Sequence, residues 1–353
     1  MGRPRSDLRR RADDAGRGLI DLRPFASSSR EPTGPVAAGR LTNLALFLLL
    51  AIAFLSGWLA FELAGGPARG VLYLHAAAGV GIVLLVPWKS LVARRSLRRR
   101  HTLRWASLVL TLGVVVSIVF GVVHSAGQPT IGYLTAMDFH VGAALCVIPF
   151  LLWHLFARPL KLRATDFSRR NFLRGGALAG AAGLGVALLP SAPRAATGSF
   201  QAAYPVATQW MFDSVPEVDV TTWRLAVAGR TWTYDELAGH TDRIAAVIDC
   251  TGGWYSEQVW EGVLLKRLLP AGADGKASLN VRSITGYSRR FGMEDAGRLL
   301  VATRLAGDPL DAGHGYPVRL VVPGQRGFAW VKWVVAIDLE DQPWWWQPPF
   351  PLQ

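Results

Sequence analysis

The chain has little cysteine and little acid. Only Cys146 and Cys250 occur in 353 residues, one inside an apolar run and one in the second half, which argues against a disulfide-stapled scaffold. Charged residues make up 18% and hydrophobic residues 51%, an apolar balance for a soluble protein. Acidic residues are scarcest early. Residues 1–174 carry 8 Asp/Glu against 23 Lys/Arg, a net of +15, whereas residues 175–353 carry 17 against 15, a net of −2. The overall charge of +13 is therefore not a general basicity. It lies in short blocks between apolar runs, where the positive-inside bias of membrane proteins puts it. That distribution argues against nucleic acid as a partner and for membrane lipid.

What is abundant is uninterrupted apolar sequence. Four uncharged runs, Leu41–Phe61, Val71–Trp88, Trp105–Val123 and Phe139–Ala157, are each close to the roughly 20 residues that cross a bilayer as a helix. A fifth, Gly175–Pro193, is richer in Gly and Ala and contains Gly176-xxx-Gly180, a possible close-packing face. Basic blocks stand at Arg9–Arg11, at Arg94–Arg100, and from Arg158 to Arg174, whereas the segments around Gly65–Gly70 and His124–Asp138 are nearly free of them. Four spans before residue 158 put all three basic segments on the cytoplasmic side, the N-terminus included. The last basic segment contains Ser168-Arg169-Arg170-Asn171-Phe172-Leu173 ahead of the fifth run, which looks like a twin-arginine export signal placed inside the chain. A fifth span would then carry residues 195–353 out of the cytoplasm. Arg194 interrupts the small residues Ala192, Ala195 and Ala196, which speaks for an uncleaved anchor. The expected organisation is a basic tail (1–40), a four-helix membrane domain (41–157), a loop with the signal and fifth span (158–194), and an extracytoplasmic domain (195–353), in the inner membrane.

Five of the seven histidines lie in the membrane half: His75, His101, His124, His140 and His154. A polar side chain within a span marks a functional site by default. His140 and His154 are 14 residues apart, just under four turns, so they share a helix face about 21 Å apart. Imidazoles facing one another across a four-helix bundle suit axial ligation of haem b, with His75 and His140 as the pair for an outer haem and His124 and His154 as further iron candidates. The bland reading of each is an interfacial side chain or a helix–helix hydrogen bond. Span count and histidine placement resemble the four-helix membrane cytochromes b of the b561 and ferric-reductase-like type. The resemblance implies exchange of electrons with the quinone pool. One departure is Lys89, which stands 14 residues after His75 and leaves His154 without an obvious partner.

The second half reads as one α+β domain. Alternating runs at Trp223–Val227, Val318–Val322 and Trp330–Ile337 predict strands, and Tyr234–Gly239 and Glu261–Leu269 predict short helices. Cys250 ends the apolar strand Ile244–Asp249 and opens a glycine turn, a position that suits a metal ligand, a nucleophile or a plain core thiol.

An ordered series of segments then narrows the choice. It runs Asp249-Cys250-Thr251-Gly252-Gly253-Trp254, Trp260–Val263, Gly286-Tyr287-Ser288, Leu300–Ala302, Gly307–Leu310, His314–Gly324 and Lys332-Trp333. The series resembles the sulfite-oxidase superfamily of molybdopterin enzymes. The resemblance implies Cys250 as the thiolate on molybdenum and Thr251, His314, Arg319 and Lys332 as contacts to the pterin. It implies Tyr287 beside the metal's oxo ligands. Together the halves imply a membrane-bound molybdenum oxidoreductase acting on a small-molecule oxo donor or acceptor, with reduction of an S- or N-oxide favoured. The alternatives are the oxidative direction or a non-catalytic pterin-fold module. Sulfite itself fits poorly, because no arginine follows Cys250 before Lys266; Arg289 and Arg290 are the basic residues near Tyr287.

Overall fold

A computed structural model of the chain describes residues 35–97, 104–127, 130–131, 134–157, 162–189, 192–208 and 214–348. Residues 1–34 of the tail and His101 lie outside the described residues. The first half is helical: α1 (Pro35–Glu62), α2 (Gly66–Leu97), α3 (Arg104–Ala126), α4 (Ala136–Ala157) and α5 (Arg169–Ala187). A two-stranded ribbon, β1 (Thr130–Ile131) with β2 (Leu134–Thr135), joins α3 to α4. Each of the four apolar runs lies inside one helix, and four helices among the described residues are long and apolar enough to cross a membrane. Their large apolar side chains point outward, Leu112 at 64% exposure and Leu55 at 54%, which in water would be untenable and in lipid is required.

The helix α5 is not among those four. It begins at the arginine pair itself and ends at Ala187, so Arg169, Arg170 and Arg174 occupy its first two turns. It packs on α2 through Ala182 and Gly185; a methyl on Gly185 would lie 2.7 Å from Val80 Cγ1. The expected packing face at Gly176 and Gly180 instead meets open space. Small residues do seat this helix, one turn further along.

The two ends of the bundle are chemically distinct. At one end Arg40 clasps Asp166 with two hydrogen bonds of 2.6 and 2.8 Å, which ties the start of α1 to the segment just before the arginine pair. At the other end Phe61 stacks on Phe328 with ring centroids 5.1 Å apart, and Leu72 lies against Gly198. The C-terminal domain therefore sits on the end of the bundle opposite the arginine pair.

That domain is mixed α/β. Its strands are β3 (Phe200–Gln201), β4 (Leu225–Val227), β5 (Arg230–Trp232), β6 (Asp242–Asp249), β7 (Trp254–Leu264), β8 (Ser278–Ser283), β9 (Ser288–Gly292), β10 (Leu300–Leu305), β11 (Asp308–Pro309), β12 (Arg319–Val321) and β13 (Val334–Glu340). One sheet runs β11-β10-β7-β3, with β12 on β10 and β6 on β7; the other runs β5-β4-β13-β8-β9. Trp260, Leu225, Val263, Leu300, Leu320 and Ile337 are fully buried in the core. The one short helix, α6 (Tyr234–Ala238), falls where the sequence predicts it, because Thr233 and Glu236 form a reciprocal capping box.

The segment Glu261–Leu269 is not a helix. Strand β7 continues to Leu264 and only Leu265–Arg267 turns as a 3-10 helix. Residues 261–264 pair with β10, and Glu261 and Gly262 also pair with β6; these tertiary hydrogen bonds override local helix preference. Strand β13 likewise starts at Val334 rather than Trp330, because Trp333 adopts φ +52° and breaks the extended run.

Gly262 sits where β7 crosses β10. A methyl there would lie 2.1 Å from the Val301 carbonyl oxygen and 2.8 Å from Ala302 Cα, both backbone atoms that cannot step aside. Gly262→Ala is expected to destabilise the domain by about 3 kcal/mol, a fall in Tm of roughly 10 °C. Thermal unfolding of the detergent-solubilised protein checks it.

Candidate active site

The hairpin between β6 and β7 holds Cys250 at its tip. The turn closes with Cys250 N donating to Trp254 O (2.8 Å) and Gly253 N donating to Cys250 O (3.1 Å), and Gly253 takes φ +89°, which favours glycine. Thr251 is half-buried in this turn. The base of the turn is clamped through Asp249. Its carboxylate accepts from Thr197 Oγ1 and Ser199 Oγ, each at 2.6 Å, and pairs with buried Arg326, whose Nη2 also donates to Cys250 O.

Around the sulfur stand the Gly252 amide at 3.4 Å and the Thr208 hydroxyl at 3.6 Å. Burial pushes the thiol above its usual range, while the Gly252 and Thr208 contacts and the Arg326 charge pull the other way. Those groups are poised to receive the thiolate rather than the thiol. A bound metal would complete that shift, since a coordinating thiol is deprotonated outright.

Three basic residues gather beside this turn. His314 is held by Asp311, which accepts from both its backbone N (2.8 Å) and its Nδ1 (2.7 Å), and its Nε2 meets Pro205 O at 2.9 Å. Burial would raise Asp311, but the His314 hydrogen bonds outweigh it and hold the carboxyl low. Lys332 Nζ donates to Thr208 O (2.9 Å) and Gly313 O (3.1 Å). Thr208 thus touches Cys250 with its hydroxyl and Lys332 with its carbonyl. Gly315 adopts φ +108°, and a methyl there would press within 3.1 Å of both Arg319 Cβ and Lys332 Cβ.

Arg319 is the least satisfied of the set. It is 3% exposed, its Nη1 donates to His314 O, and its Nε is buried with no acceptor. Among the described residues it forms no ion pair. Its guanidinium lies over Trp260 at 5.0 Å and Trp330 at 5.8 Å. Burial lowers its pKa to about 10, against the opposing pull of Cys250 and Asp311. A buried charge without a counter-ion costs several kcal/mol, and a phosphate entering beside it would supply paired, charge-assisted hydrogen bonds.

Tyr287 stands apart from this cluster. Its hydroxyl donates to Phe328 O at 2.5 Å, and burial pushes its pKa up. Arg289, its pKa lowered by burial, lies over the Phe328 ring at 5.0 Å, near the end of α1.

In the bundle, His75 and His140 come together with ring centroids 5.6 Å apart and planes at 87°. His75 Nδ1 donates to Ala53 O at 2.8 Å and His140 Nδ1 to Ser117 O at 2.7 Å. Both tautomers are thereby set with Nε2 unprotonated and available to a metal. Gly57 and Gly121 leave room for the rings, at 3.1 and 3.0 Å from where their methyls would be. His154 meets Ser107 Oγ at 3.4 Å, and Lys89 donates to Asn43 at 2.9 Å. His124 does not join the His75–His140 pair; it lies against Gly253 and Phe200 of the C-terminal domain.

Among the described residues no three His, Cys, Asp or Glu side chains converge on a point where they could hold a bare metal ion. One thiolate and one pair of imidazoles fit metals that bring their own organic ligands, a molybdopterin and a haem. The sequence singles out neither Thr208 nor Arg326. Thr208 lies far from the motif in the chain, and Arg326 falls two residues beyond the quoted His314–Gly324 segment, so neither carries a spacing signal.

Residues 212–346 match the family described as oxidoreductase molybdopterin binding domain. Barley nitrate reductase [NADH] is 29% identical over 167 residues, covering 35% of this chain and 18% of that protein. A protein from Azospira oryzae that carries the name of a protein-methionine-sulfoxide reductase subunit, YedZ1, is 30% identical over 148 residues, 38% of this chain and 55% of its own length. The sulfane dehydrogenase SoxCD of Paracoccus pantotrophus is 25% identical, with a TM-score of 0.34 over 36% of this chain and 40% of that one. The chain spans about a fifth of the nitrate reductase and about half of the Azospira protein.

Proposed function

We infer, from a chain whose residues 212–346 are a molybdopterin-binding oxidoreductase domain of sulfite-oxidase-like fold behind four membrane-capable helices, that two-electron oxo transfer outside the cytoplasm is coupled through haem b to the quinone pool. The observation that carries the reading is the shared surround of Cys250 and Arg319. A strand-tip thiol accepts from the Gly252 amide and meets the Thr208 hydroxyl, and beside it lies a buried cation that lacks an anion. Molybdopterin, when bound, supplies the oxo-transfer chemistry; haem b supplies single-electron transfer.

The chain's residues divide the remaining work. Cys250 is the thiolate ligand, with the Gly252 amide and Thr208 hydroxyl favouring its ionised form. Arg319, His314 and Lys332 receive the pterin phosphate and ring, with Thr251 lining the turn. Tyr287 would have to release Phe328 O to present its hydroxyl to a substrate. His75 and His140 offer two Nε2 atoms to one iron. The helix α5, led by Arg169 and Arg170, acts as an uncleaved twin-arginine anchor and fifth span. This puts the N-terminus in the cytoplasm and the C-terminal domain outside, in keeping with the opposite ends of the bundle that the Arg40–Asp166 pair and that domain occupy. Reduction of an S- or N-oxide is the favoured direction, supported by the name of the Azospira relative.

Metal analysis and a reduced-minus-oxidised spectrum of detergent-solubilised protein test both halves together. About one molybdenum per chain and a haem b band are expected. Molybdenum without haem would sink the bundle assignment, and haem without molybdenum would sink the site at Cys250.

A further inference from the structure

Helix α3 touches both proposed redox sites within a single turn. At Gly121 it lies against the His140 imidazole. Three residues on, about 4.5 Å further along the axis and on the same face, His124 leaves the bundle and enters the C-terminal domain. Its ring is 4% exposed there. Nε2 donates to Gly198 O at 3.3 Å, and the ring meets Phe200 edge-on at 5.2 Å. It also fills the space where Gly253 would carry a side chain, 2.6 Å from Cε1.

Each of these contacts leads back to the cysteine turn. Gly253 N donates to Cys250 O, and Phe200 N donates to Gly253 O at 2.8 Å. Thr197 and Ser199, flanking Gly198, hold the carboxylate of Asp249. Ser125, next on α3, accepts from Ala192 N at 3.3 Å. Packing alone does not call for an imidazole here, because its Nδ1 is buried without a partner, a cost that a leucine would avoid.

We propose that His124 is the positioning residue that seats the Cys250 turn on the His75–His140 end of the bundle, so that electrons pass between the two redox sites inside one chain. The inference rests on the proposed function for what those sites hold. Each oxo transfer to or from the substrate moves two electrons; they cross the seat as two single-electron steps, balanced by the quinol/quinone couple. A partner redox protein is then not needed between the halves.

Amide hydrogen exchange on the full chain in detergent tests the seat. In His124→Ala, residues 198–201 and 250–254 are expected to exchange about tenfold faster or more, with the reduced haem band unchanged. His124→Gln, which can still donate to Gly198 O, restores slow exchange, and His124→Leu does not. Unchanged exchange in His124→Ala overturns the proposal. So does loss of the haem band in His124→Ala, which would make His124 an iron ligand, and so does full restoration by leucine, which would make the contact mere packing. If wild-type protein lacks haem or molybdenum, the proposed function falls, while the exchange comparison still reads the seat.

Discussion

Cys250→Ser is expected to fold, to keep its thermal transition within a few degrees of wild type, and to lose oxo-transfer turnover by about 10³-fold or more, some 4 kcal/mol of barrier. The serine hydroxyl is smaller and harder than the thiol. It can keep the hydrogen bond from Gly252 N and the approach to Thr208, so the turn closed by Cys250 N, Gly253 N and the Asp249 clamp survives. What it cannot supply is a thiolate: an alcohol stays protonated where a thiol ionises, so the anionic sulfur donor that the Gly252 amide faces is lost. Assay with reduced viologen dye and methionine sulfoxide, alongside molybdenum analysis, reads the outcome. A serine variant that turns over at wild-type rate removes Cys250 from the chemistry.

The membrane half was legible because a bilayer leaves little freedom. Twenty apolar residues without charge must form a helix, and the four runs each fall within one. Helix ends were less legible: α2 runs on to Leu97, through Pro87 and past Lys89 and Arg94. The face of α5 is not legible from Gly-xxx-Gly spacing, which is common in a Gly/Ala run; the position of Val80 on α2 decides which glycine is used. In the C-terminal domain, motif segments located Cys250, His314, Arg319 and Lys332, and these do gather. The strand at Glu261–Leu264 was read as helix because local pattern carries no information about the two neighbours that pair with it. Thr208 and Arg326 reach the cysteine from 42 and 76 residues away, which only the fold brings about. His124 shows the limit most plainly. As sequence it is one more histidine near a span end, and what sets it apart from His75 and His140 is the domain that lands on it.

The second large effect concerns those two histidines. His75→Ala or His140→Ala is expected to abolish the haem b band, by more than the roughly 10–100-fold that losing even an outer-shell partner costs a metal site. The argument is geometric. The rings meet edge-on with centroids 5.6 Å apart, so a haem bound here would be held by this pair. Ala53 O and Ser117 O fix each Nδ1 as the donor, so both Nε2 lone pairs are left for iron, and two neutral imidazoles are what a bis-histidine haem requires. His154→Ala is the contrast. At the matching depth on α2 stands Lys89, which donates to Asn43, in place of the imidazole that His75 provides for His140, so the loss of His154 should leave the band intact. A spectrum in which His154→Ala loses the band and His140→Ala keeps it would move the haem to the other leaflet, away from the Cys250 turn and from the α3 turn that joins the two halves.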